Sequence, residues 1–407
     1  MYKTILGDTF EKISRKSYGV ETEATRIKSA NPGVSEPLVA GINLTIPKIQ
    51  SFPQDRLSTT DSNNDNEVSL ILEGEQFKYW DNLEISRSLD AMDIVNFSAP
   101  FESEREDFKV KFKPLSYKDT SILVGGIPLF TGTMISVLPS LEPTQKKINI
   151  GCYSLPGVLY DCTASSSSFP IEFNKQGLIE ISQSLCDPFG IDVQFDSDQG
   201  AIFDRVACKP SQNIMDFLSD LAKQRGLLIS ATEEGKLKFY EPISDGTPVA
   251  VLSQGSSPLI NVNPPIIDSQ KYYSQITGIE STKTGSKGSK YTVKNSFLDK
   301  VRPLTFMVQS TTKADVKKAV DAKIGRMFAN VISYEIEVST WRDRSGKLWK
   351  PNTLIDLIAP DAMVYENYTF LIRSVKFSRS SREETAQLTL TLPGAFNGSI
   401  PTRLPWE

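Results

Sequence analysis

FTGTMISV at residues 130–137 and INIGC at 148–152 alternate apolar and polar side chains, the period of a strand with one buried face. FLIRSVKF at 370–377 and TAQLTLTL at 385–392 do the same. At a constant offset of 240 residues, Phe130, Ile135, Val137, Ile148 and Ile150 fall on Phe370, Val375, Phe377, Leu388 and Leu390. The match predicts one hairpin used twice. Around the first copy, residues 68–72, 83–88, 94–98, 110–112 and 122–124 read as further short strands; around the second, 272–279, 291–294, 331–339 and 353–358 do. Such short, evenly spaced strands suit a barrel or sandwich.

Between the hairpins the spacing becomes helical. Leu178, Ile181 and Leu185 share one helix face, as do Ile214, Phe217, Leu218 and Leu221, with Gly226 placed to end the second helix. Residues 227–230 and 236–240, joined by Thr232-Glu233-Glu234-Gly235, predict a hairpin after it. A third helix, over about 313–328, buries Val316, Val320 and Ile324. Upstream, SFPQDRLSTTDSNNDNE at 51–67 loses all apolar periodicity and reads as a flexible linker. Before it, a strand over 2–6, helices through Phe10–Ser14 and Ala24–Lys28, a stop at Asn31-Pro32-Gly33 and a strand over 42–46 ended by Pro47 give the order βααβ. The expected divisions are 1–50, the linker 51–67, a strand-rich region at 68–160, an α+β middle at 161–265, a second strand-rich region at 266–397 and a tail at 398–407. The class is mainly β with α+β parts.

The 407 residues suffice for two or three domains. Lys and Arg total 45 against 49 for Asp and Glu, so a net charge of −4 offers no broad cationic footprint for nucleic acid. Histidine is absent, which removes Ser-His-Asp triads, Cys–His dyads and HExxH zinc sites, leaving carboxylate-pair, Lys or Ser–Lys chemistry. Glu102, Glu104, Glu106 and Asp107 around Arg105, and Glu233-Glu234 at a turn, read as solvated loops rather than a catalytic pair, and no GxSxG elbow is present. STKTGSKGSK at 281–290 lacks the GxxxxGK[ST] spacing of a phosphate loop. Cys152, Cys162, Cys186 and Cys208 form no CxxC pair and read as reduced, mostly buried thiols; neither metal nor cofactor is expected. MYKTILGDTF has no apolar stretch before Asp8, so it does not read as a signal peptide. The longest apolar run, 122–130, is broken by Gly125, Gly126 and Pro128, and no membrane insertion is expected.

Gly7-Asp8-Thr9, Ile13, Tyr18-Gly19, Ile27, Ala30-Asn31-Pro32 and Gly41-x-x-Leu44-x-Ile46-Pro47 together resemble the LysM pattern over nearly all of residues 1–50. That resemblance implies a groove between the loop Gly7, Asp8, Thr9, Phe10 and the loop Asn31, Pro32, Gly33, Val34, open to a peptidoglycan glycan or to a docking protein. The same residues also read plainly as a helix cap at Asp8 or Thr9 and a core ring at Phe10.

GGIPLFTG at 125–132, residues 151–162 followed by 178–195 with Pro188-Phe189-Gly190, and GKLWKP at 346–351 followed by 369–377 resemble, in order and spacing, the baseplate hub proteins of Mu-like contractile phage tails. The likeness spans most of 68–395. Asn352 departs from it, standing where related hubs commonly carry glycine. It implies a homotrimer with two tail-tube-like β-barrel domains per subunit and an α+β region between them. Such a ring adapts a six-fold tail tube to a three-fold spike and lines the DNA exit channel without sequence-specific nucleic-acid binding. The partners implied are tail tube proteins, a central spike protein and peripheral wedge proteins, and the place implied is the tail baseplate of a virion assembled in the host cytoplasm. No turnover is expected. Two alternatives stay open: a LysM-targeted peptidoglycan hydrolase using paired acids, and the hub of a bacterial contractile injection system.

Overall fold

The computed structural model describes residues 2–4, 8–18, 24–47, 66–101, 104, 106–142, 145–165, 171–280, 288–308, 313–380 and 383–407. Gly7, Gly19, Glu102, Arg105, residues 281–287 of the Lys/Ser/Gly block and all of the linker before residue 66 lie outside them. The chain divides into two compact units, residues 1–78 with 118–129, and residues 79–117 with 130–407.

In the first unit, β1 (Tyr2–Lys3), α1 (Phe10–Tyr18), α2 (Ala24–Ala30) and β2 (Asn43–Leu44) follow in the expected order, and β1 pairs antiparallel with β2. Ile13, Ile27 and Leu44 are fully buried among them. The same unit holds β3 (Val68–Leu72), flanked by β4 (Glu75–Phe77) and β7 (Asp119–Val124). Alternate side chains of β3, at Val68, Leu70 and Leu72, are buried, as a period of two requires. Gly125 and Gly126, with φ of 58° and 78°, make the two-residue turn that follows β7.

One sheet of the second unit carries both hairpins. Its order is β16 (Leu259–Val262), β21 (Ile332–Val338), β24 (Glu384–Thr391), β23 (Val364–Ser380), β5 (Asn82–Ser88), β6 (Ile94–Pro100), β9 (Gln145–Ser154) and β8 (Ile127–Glu142). β17 (Ile266–Ile267) continues β16 along β21, β22 (Leu354–Ala359) pairs with the first half of β23, and β15 (Val251–Ser253) lies parallel to β22. The apolar face predicted by alternation is the core: Val95, Cys152, Tyr334, Ile336, Val375, Phe377, Leu388 and Leu390 are all fully buried.

The middle of the chain is α+β. β10 (Glu172–Gln176) pairs with β12 (Phe203–Ala207), while β14 (Leu237–Tyr240) lies between β11 (Val193–Phe195) and β13 (Leu228–Ala231), alongside α4 (Val158–Asp161), α5 (Leu178–Cys186) and α6 (Ile214–Arg225). Asn213 caps α6 by accepting from Asp216 N at 2.6 Å, and Gly226 ends it in the left-handed region at φ 73°. Further on, β18 (Gln275–Glu280) sits between β19 (Lys290–Lys294) and β20 (Pro303–Val308) under α7 (Lys313–Val331), whose Val316, Val320 and Ile324 are fully buried as their spacing predicts.

One predicted strand is a helix. Residues 110–112 lie in and just after α3 (Glu106–Lys111). Phe108 and Phe112, four apart, are buried while Val110 between them is 61% exposed, so the helical spacing of the two rings overrides the β preference of valine. α7 also runs three residues past its predicted end, because Ala329 and Val331 continue its buried face. The four cysteines are free thiols, three of them buried and Cys162 half-buried.

Candidate assembly surface

The loops expected to form a groove in residues 1–50 are tied together mainly by internal contacts. Asp8 is buried and accepts from Tyr2 Oη at 3.0 Å, and the Phe10 ring is buried while its N donates to Glu36 Oε1 at 2.7 Å. The Thr9 hydroxyl accepts from an amide in the first turn of α1, Lys12 N at 3.3 Å. Asn31 joins α2 to the second strand: its Nδ2 donates to Ile27 O and Thr45 O, and its Oδ1 accepts from Thr45 N. Val34 packs on the local core. Of the named residues within the described set, Pro32 and Gly33 are the exposed ones.

A second cluster is ionic. Arg87 on β5 is buried; its Nε donates to Asp93 Oδ2 at 3.0 Å and its Nη1 to Glu233 Oε1 at 2.9 Å, and Lys350 Nζ reaches the same Glu233 oxygen at 3.1 Å. Burial pushes the Asp93 carboxyl up to about 6, against the pull of Arg87. Burial also penalises Glu233, but Arg87 and Lys350 together outweigh it and hold that carboxyl down near about 2. Glu233 is therefore not the solvated turn residue its sequence position suggests. Two carboxylates with separated affinities for a proton can signal acid–base work. Here Asp93 is 2% exposed with a guanidinium inserted beside it, so the cluster ties β5, the loop after it, the β13–β14 turn and the segment before β22 together.

The feature that organises the rest is the repeated hairpin. In β8–β9, Thr133 faces Tyr153, Met134 faces Cys152, Ile135 is bulged out, and Ser136 faces Gly151. In β23–β24, Leu371 faces Thr391, Ile372 faces Leu390, Arg373 is bulged out, and Ser374 faces Thr389. Every β23–β24 pair is a β8–β9 pair moved 238 residues along, through to Leu141–Lys146 and Arg379–Glu384. The correspondence in space is thus 238, two fewer than the apolar alternation proposes. A slip of two leaves every side chain on its own face, which is why the pattern alone could not distinguish them. The neighbouring strands repeat as well: β6 meets β9 as β21 meets β24, with Val95 and Phe97 in the places of Tyr334 and Ile336. β5 flanks β6 as β16–β17 flank β21, Leu83 taking the place of Val262 and Ser86 that of Ile266.

The two copies differ at their edges. The outer edge of Ser374–Ser380 is covered by β5, from Ser374 opposite Ser88 to Ser380 opposite Asn82. The matching edge of β8, residues 136–142, has no strand against it among the described residues, and neither does the outer edge of β16–β17.

Comparison with known proteins gives this architecture a family context. Residues 156–241 match the family model described as baseplate hub protein gp44-like, second domain, and residues 310–399 match that of the Mu phage baseplate assembly protein GpP, fourth domain. The chain is similar to baseplate hub protein gp44 of Escherichia phage Mu, 23% identical over 309 residues, covering 72% of this chain and 79% of that protein. Its fold is similar to that of a 43 kDa tail protein of prophage MuSo2 from Shewanella oneidensis, with a TM-score of 0.70, 24% identity and coverage of 81% of this chain and 99% of the other. It is also similar to a tail protein from Neisseria meningitidis MC58, at a TM-score of 0.69 and 18% identity, over 82% and 99% of the two chains. These likenesses support a Mu-like phage baseplate hub.

Proposed function

We propose that the chain is a structural subunit of a contractile-tail baseplate hub, acting as a homotrimer whose six hairpin modules present a pseudo-six-fold face to the tail tube and a three-fold face to the central spike. The observation that carries this reading is the repeat at 238 residues, found in a chain that resembles gp44 of phage Mu. A three-fold object meets a six-fold ring evenly when each protomer offers two equivalent surfaces, and two hairpins with one register supply them. The axial opening of such a ring is the DNA exit channel; the near-neutral, slightly acidic chain suits a conduit that must release its cargo. Residues 1–50, on their linker, serve to dock a peripheral baseplate protein or a cell-wall glycan at the loops around Thr9 and Pro32. Docking fits the observed roles better, since Phe10, the ring a sugar would stack on, is buried.

The test is the solution mass of the purified chain with a low-resolution projection. A trimer seen as a three-fold ring with an open axis is expected; a monomer that clears purified cell wall, with lysis abolished by single Asp or Glu substitutions, would establish the hydrolase instead.

A further inference from the structure

We infer that the turn at residues 113–117, with Val110 and Tyr79 beside it, docks a three-fold partner protein by seating Leu115 and Tyr117 in an apolar pocket ringed by carboxylates. The inference rests on the hub reading, under which that partner is the central spike.

The turn follows α3 and holds its apolar side chains out to solvent. Leu115 is 88% and Tyr117 64% exposed, with Val110 and Tyr79 at 61% and 58%. Leu115 and Tyr117 both adopt the left-handed backbone, at φ 57° and 48°, which a residue with a side chain disfavours. Strain of this kind collects at binding surfaces. The turn is nonetheless fixed: Ser116 Oγ donates to Lys113 O at 2.7 Å, and the helix before it is anchored by buried Phe108 and Phe112, edge to face at 5.7 Å, with the Tyr79 ring 6.2 Å from Phe108. Two rigidly held anchors suit a shaped protein pocket, because pre-organisation lowers the ordering cost of binding. A lipid surface asks for no fixed backbone. Lys109, Lys111 and Lys113 stand among the apolar residues, and no carboxylate occurs between Asp107 and Asp119, so the complementary pocket is acidic at its rim.

The two modules set the number of sites. Residues 101–118 join β6 to β7, and their counterpart, 339–353, joins β21 to β22. The counterpart turns its large side chains inward: Trp341 and Trp349 are buried, Trp341 Nε1 donating to Thr385 O at 2.9 Å and Trp349 Nε1 to Thr340 O at 2.8 Å. The patch is therefore carried once per protomer. A six-fold tube that meets both modules finds it on only one of them, whereas a three-fold spike matches it one to one.

The probe is the purified spike protein of the same tail, titrated against the full chain. Leu115→Gly and Tyr117→Gly keep the left-handed backbone and remove only the anchor, so each should leave the trimer mass unchanged and weaken spike binding by at least about thirtyfold. Lys113→Glu should slow association several-fold, most at low salt. Spike affinity unchanged in both glycine variants overturns the docking surface and leaves the hub reading intact, as does loss of tail-tube rather than spike binding. Phosphatidylglycerol vesicles that hold the wild-type chain and release both variants would assign the patch to lipid and likewise overturn it. A wild-type chain that stays monomeric and binds no spike overturns both readings.

Discussion

The hairpins β8–β9 and β23–β24 share a register, a bulge and a strand order, yet they differ where a neighbour covers them. In the second, β5 closes the edge, and Val375 and Phe377 are fully buried. In the first, the same positions are a half-buried Val137 and an exposed Pro139. Polar and apolar choices invert on the other face too: Leu138 stands where β23 has Lys376, whose ammonium pairs with Glu84 of β5 at 2.9 Å. The backbone scheme is conserved between the copies; the residue at each position follows what lies against it.

The difference is broken most strongly by emptying the covered side. Phe377 packs on Trp341 with ring centroids 5.1 Å apart, in a site with no exposure. Phe377→Ala should cost about 3–5 kcal/mol in denaturant unfolding, whereas Pro139→Ala at the matching position should cost less than about 1 kcal/mol. Equal losses at the two positions would mean that the hairpins sit in equivalent surroundings after all.

The next largest effect lies in β5, the strand that one hairpin has and the other lacks. Arg87→Met should cost about 3 kcal/mol, because it strands the buried Asp93 carboxyl without its cation. Glu233, on the other side of that guanidinium, gives a pH signature. Its folded-state affinity for a proton is depressed from 4.5 to about 2, so the stability it contributes is complete above about pH 4.5 and is lost as pH falls through about 2. Glu233→Gln should therefore trail wild type by at most about 3 kcal/mol near neutrality, and the gap should narrow across that window. A gap that does not change with pH would show that Glu233 acts by packing rather than by charge.

Much of this was readable from residues. Alternation at 130–137 and 370–377 predicts both hairpins, and the apolar periodicity of 316–324 predicts the helix that covers β18. The true offset was not, because the bulge that sets it falls on Ile135 in one copy and Arg373 in the other, residues with nothing in common. Nor was the joining of the copies: β5 meets β23 across nearly 300 residues of chain, and no local pattern encodes such a partner. In the middle region, β10 shows one buried residue in five, too little alternation to register as a strand. At the N-terminal loops Phe10 is the core ring its residue type suggests, and Asn31 spends its side chain on backbone groups of its own unit, contacts that no local pattern encodes.

The smallest effect separates fold from residue choice in the cores. Val95 and Tyr334 hold the same place on the strand beside each hairpin, facing Cys152 and Leu390, and both are fully buried. The tyrosine ring lies tilted against Phe370 with centroids 5.0 Å apart, its hydroxyl has no hydrogen-bond partner among the described residues, and burial pushes it up to about 12. A buried hydroxyl left unpaired is a net cost that the first copy avoids by carrying valine. Tyr334→Phe keeps the ring and removes the cost, so it should leave stability unchanged or raise it by up to about 1 kcal/mol. A loss beyond about 1 kcal/mol would show that the hydroxyl has a partner in the assembled protein, and would make the second hairpin's core, as well as its neighbour's edge, part of what distinguishes the two copies.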